Sequence, residues 1–79
     1  MNEIEFKATL QMLFPMVIQT IMEKKNITII PAIKLFYYSK LYEVIENEET
    51  KLWHLSPLAL FNILEIELQT GKLVFPTEA

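Results

Sequence analysis

Phe6, Leu10, Leu13, Val17 and Ile21 recur at the spacing of one helical face, and Phe14 and Ile18 widen the stripe. An apolar stripe of that length commits the first third of the chain to an amphipathic helix and sets the class of fold around it. Asn2 followed by Glu5 has the spacing of a capping box. Lys24-Lys25-Asn26 supplies lysines for the negative end of the helix dipole and an asparagine able to take a left-handed cap. A helix from about Glu3 to Lys24 is therefore predicted. Pro15 opposes it, because inside a helix proline removes a hydrogen bond and clashes with the carbonyl four residues back, at a cost of about 3 kcal/mol. The expectation is a kink at Pro15, or two shorter helices meeting there.

A second helix is expected to begin at Thr28, a residue suited to the N-cap. Pro31 falls in the first turn, where its missing N–H is harmless, and Ile27 can staple onto Ala32. Ile30, Ile33, Tyr37, Leu41 and Val44 form the predicted core stripe, with Phe36 beside it. The β-branched residues leave a short strand at 27–30 as the alternative. Residues 47–51 read as a charged loop, and Leu52-Trp53-His54-Leu55 as an extended link or a single turn. Ser56-Pro57 is the clearest boundary: an N-cap serine, then proline at the first helical position. The third helix is predicted to run to about Thr70, with Leu60, Phe61, Leu64 and Leu68 facing the core. Gly71 stands where a left-handed terminator is wanted, and a tail from Lys72 to Ala79 follows, in which Val74 and Phe75 can dock. The fold class is all-α, one helical domain over residues 1–79. It is a three-helix bundle, or a four-helix one if the first helix breaks at Pro15, with a C-terminal tail.

At 79 residues such a domain has a thin core, and small domains commonly compensate with disulfides, metals or oligomerisation. Cysteine is absent, which removes disulfides and thiolate metal sites together. His54 is the only histidine, so a zinc site would need carboxylates for nearly all its ligands. Association is the remedy left. The seven basic residues are all lysine and the ten acidic ones all glutamate, with a net charge of -3. Without arginine's planar fork, and with a pI near 5.0, the composition counts against nucleic-acid binding. The longest apolar run, Met12 to Ile18, is far short of the roughly 20 residues a membrane span needs. No basic stretch or small-residue cleavage site marks a secretion signal, so the expected location is cytoplasmic.

No constellation for chemistry emerges. His54, beside Trp53, has no partnered nucleophile and is expected to bond a backbone group near the third helix. Glu46, Glu48 and Glu49 lack the alternation and the turn glycine of a calcium loop and read as a solvated loop. Glu65 and Glu67, two apart on a helix, point to different sides and make no acid–base pair. Met12, Met16 and Met22 are expected to fill the core. Among the aromatic residues, Phe36 and Tyr37 are assigned to the core, while Tyr38 and Tyr42 are candidate interface residues. The third helix is apolar nearly all round, since Leu58, Ala59, Ile63 and Ile66 add to its core stripe, and three helices scarcely cover it. The candidate contact surface is thus Tyr38, Tyr42, Ile63 and Ile66, anchored by Trp53, His54, Ser56 and Pro57.

Phe36-Tyr37-Tyr38-Ser39-Lys40-Leu41-Tyr42, then Glu48 to Ser56 (Glu-Glu-Thr-Lys-Leu-Trp-His-Leu-Ser), then Glu67-Leu68-Gln69-Thr70-Gly71-Lys72 also carry a resemblance. Over about residues 27–76 the chain resembles a group of short, uncharacterised proteins common in gut-dwelling Gram-positive bacteria. The resemblance implies a bacterial cytoplasmic protein. Some of that group have toxin-like genetic neighbours, which implies an accessory or antitoxin-like role, and no catalytic residue carries over. The functional expectation is a non-enzymatic protein-interaction module, needing no cofactor, that binds itself or another small protein. A helix-turn-helix-like DNA-binding regulator is the alternative, permitted by two helices joined by a short turn near Asn26.

Overall fold

The computed structural model describes residues 1–75, and all regular structure among them is helical. Four α-helices follow in order: α1 (Glu3–Lys25), α2 (Ile29–Tyr37), α3 (Lys40–Ile45) and α4 (Pro57–Thr70). Two single 3₁₀ turns, Glu48–Thr50 and Leu52–His54, join α3 to α4. The predicted tail is irregular over 72–75, with Leu73 packed on the core; the rest of it lies outside the described residues.

The capping box at the head of α1 is complete. Asn2 Oδ1 accepts from Glu5 N–H at 2.8 Å, and Glu5 Oε1 accepts from Asn2 N–H at 3.1 Å. Asn26 ends the helix in the left-handed region, at φ 55°. All seven residues of the stripe, from Phe6 to Ile21, are buried. Pro15 neither splits α1 nor ends it: one helix runs through it. Its ring lies on the exposed side, beside the exposed Gln11, whose orphaned carbonyl can bond water.

Four helices arise for a different reason, because the predicted second helix breaks at Tyr38-Ser39. Ala32 and Phe36 are buried at a four-residue interval, and so are Leu41 and Ile45. A continuous helix would put residue 40, not 41, in line with Phe36, so a one-residue slip in the apolar phase marks the break. Ser39 turns to extended backbone, and its Oγ accepts from Tyr42 N–H at 3.1 Å to start α3. The predicted stripe is accordingly out of phase: Ile30 and Tyr37 are exposed, Ile33 and Val44 only half-buried.

Ser56 and Pro57 open α4 as expected. Ser56 Oγ accepts from Ala59 N–H at 3.1 Å, and Gly71, at φ 76°, closes the helix. Leu60, Phe61 and Leu64 are buried, whereas Leu68, near the end of the helix, stays exposed. α1 packs mainly against α2 and α4, and α3 fills the corner between α2 and α4. One apolar cluster draws on all four helices and on Leu52. No described helix is long and apolar enough to cross a membrane.

Candidate interaction surface

Four aromatic rings join α1, α2 and α3. Phe14, Phe36, Tyr37 and Tyr42 touch in all six pairings, with centroids 4.7 to 6.1 Å apart at tilted or edge-to-face angles. Phe36 is fully enclosed, while Tyr37, expected in the core, is 39% exposed at the rim of the group. The Tyr42 hydroxyl donates to Glu46 Oε2 at 3.0 Å. Partial burial first, then that hydrogen bond and the nearby Glu46 charge, with a smaller contribution from Tyr37, push the Tyr42 phenol above its ordinary value.

The four candidate contact residues do not share a surface. Tyr38 is 84% exposed, but Tyr42 belongs to the aromatic group across the helix break. Ile63 is 2% exposed and therefore belongs to the core, and Ile66 is half-buried. The reason is cover that three helices would not have supplied. The extra helix α3 lies against α4, and Val74 and Phe75, themselves about half exposed, line a cleft of about 250 Å³ with Ile63 and Ile66. The surplus of apolar surface sits instead on α2. Of its nine residues only Lys34 is charged and only Ala32 and Phe36 are buried, while Ile29, Ile30 and Tyr37 are more than a third exposed. The signal for this lies in the sequence, since none of the described helices is more uniformly apolar, but phasing α2 and α3 as one helix masks it.

Trp53 Nε1–H donates to the Glu48 carbonyl at 3.0 Å, tying one 3₁₀ turn to the other. His54 corrects the expectation: it is exposed, its ring lies 5.7 Å from that of Trp53, and its side chain makes no hydrogen bond among the described residues. Together with Lys51 it edges an apolar cleft of about 530 Å³ over Leu52 and Leu55. Met12 and Met16, expected as core filler, are exposed on α1. Among the described residues no three acidic or histidine side chains gather to hold a metal.

The glutamates of α4 act as two clips that sequence spacing did not reveal. Glu65 takes Lys25 Nζ on both oxygens, at 2.8 and 3.1 Å, fastening α4 to the end of α1. Glu67 accepts the backbone N–H of Lys40 at 2.9 Å and of Leu41 at 3.1 Å, capping α3 from another helix. Lys40 returns the contact by donating from Nζ to the Gly71 carbonyl at 3.0 Å. No protein-family model, curated protein or solved structure matches this chain.

Proposed function

We propose that the chain is a small cytoplasmic protein-interaction module that works through the outward face of α2. The observation carrying this reading is the composition of that face: isoleucines and tyrosines in the open, on a helix with a single charge. Large exposed apolar side chains gathered on one element, with tyrosine among them, are what contact surfaces present before a partner arrives. The resemblance to short bacterial proteins with toxin-like neighbours agrees with an accessory or antitoxin-like role. Binding of an apolar-surface dye to the native protein tests the reading. Dye fluorescence should be strong and should fall in I30E and Y38E, with helical circular dichroism unchanged. A wild-type protein that binds no dye and stays monomeric in light scattering would overturn it.

A DNA-binding reading has one observation in its favour: residues 24–42 carry Lys24, Lys25, Lys34 and Lys40 and no acidic residue. Two of those lysines are engaged internally, Lys25 by Glu65 and Lys40 by the end of α4. Duplex binding that weakens steeply with salt is the result that would favour it over a protein partner.

A further inference from the structure

The outward face of α2 meets α3 across the break at Ser39 through the contact of Tyr37 with Tyr42. Ile30, Lys34 and Tyr37 lie at helical spacing along α2, with Ile33 half-buried beside them against the core. Tyr37 packs on Tyr42 at 4.7 Å between centroids, the rings tilted by 57°, and the Tyr42 hydroxyl donates to Glu46. These contacts set a tyrosine pair between Lys34, one turn back on α2, and Glu46 on the far side of Tyr42, a strip basic at one end and acidic at the other. The sequence sharpens that polarity. Residues 24–42 hold four lysines and no acid, whereas residues 43–49 hold Glu43, Glu46, Glu48 and Glu49 and no base. Lys34 has no ion pair among the described residues.

We propose that the occupant of this strip is a second copy of the chain, related by a two-fold axis through the tyrosines. A two-fold contact brings the same patch from both subunits together in opposite directions. A strip with opposite charges at its two ends is complementary to itself in that arrangement. Tyr37 packs on its own symmetry mate, Lys34 reaches Glu46 of the partner subunit, and the same pair forms again on the other side of the axis. The isoleucines and the stem of Lys34 supply the apolar contact, and the charges fix the direction. An anionic membrane or an acidic foreign peptide would satisfy Lys34 but would leave Glu46 facing like charge. A second copy satisfies both.

This inference rests on the proposed interaction role of α2 and names its partner. Sedimentation of the full-length chain across the micromolar range tests it. Wild type should show a concentration-dependent monomer–dimer equilibrium. K34E and E46K should each weaken it by about tenfold or more, because every contact is made twice and turns repulsive in both places. The double variant K34E/E46K restores attraction with the signs exchanged and should recover most of the lost affinity. Because E46K also removes an acceptor from Tyr42, helical circular dichroism of each variant accompanies the measurement. A monomer at all concentrations overturns the inference, as does a dimer indifferent to K34E or a double variant that recovers nothing. If the protein is monomeric yet binds the dye and loses it in I30E, self-association fails while the interaction reading survives.

Discussion

Glu67 is the residue whose role departs most from its local setting. It caps a helix from 26 and 27 positions downstream, and with Ser39 it meets the first three N–H groups of α3, those of Lys40, Leu41 and Tyr42. A helix of six residues has little stability of its own, so α3 depends on those partners. Replacing Glu67 with alanine should cost about 1–2 kcal/mol, read as a lower urea midpoint at unchanged slope, with glutamine recovering part of it. Nothing near residue 67 in the sequence forecasts this, because capping from a distant helix has no periodicity. The local caps at Asn2, Asn26, Ser56 and Gly71 were legible for the opposite reason: donor and acceptor lie within one turn of each other. Tyr42 makes a second prediction at this scale. Its proton is held more tightly in the folded chain than in the unfolded one. The stability linked to it is therefore complete below the ordinary phenol value of about 10 and is lost as pH rises through the raised folded value. The phenolate absorbance difference between wild type and Y42F should show that late titration, and E46Q should bring it back toward the ordinary value.

At the scale of elements, the long helix and the last one could be read directly, since each has a strong apolar period framed by caps. The middle could not. A single helix over α2 and α3 puts Ile30 and Tyr37 in the core stripe and leaves Ala32 and Ile45 out of it, whereas the serine at 39 and the slip in phase mark the break. Local pattern rules treat Leu35 to Tyr38 as apolar throughout and so have no edge to detect. The error carried over to the contact surface: a bundle with one helix too few makes α4 look uncovered and α2 look enclosed. Pro15 shows how tertiary packing overrides a propensity rule. The buried face on both sides of it holds α1 together, and the lost hydrogen bond falls on the solvent side. P15A restores that bond and removes the ring clash. It should raise stability by about 1–2 kcal/mol, less than the full proline penalty because the more flexible unfolded chain offsets part of the gain. An unchanged or lower melting temperature would show that the ring makes a favourable contact that outweighs the lost bond.

For the molecule as a whole, interior and exterior are linked through the same aromatic group. Phe36 lies at its centre and touches rings from α1, α2 and α3, while Tyr37 and Tyr42 extend from it to the outer strip. The buried side-chain polar atoms among the described residues all have partners, so specificity in the interior comes from the shape of these rings rather than from polar strain. A domain of this size has about 4–12 kcal/mol of stability in total. Phe36→Ala removes a fully buried ring that no single helix can collapse to replace, at a cost of about 3–5 kcal/mol. The predicted result is a protein at the edge of folding, with helical far-ultraviolet dichroism largely kept and the aromatic near-ultraviolet signal lost. Phe36→Leu, which preserves most of the volume, should lose far less and keep the aromatic signal of Tyr37 and Tyr42. If F36A kept both signals and its melting temperature, the aromatic group would not be what orders the three helices.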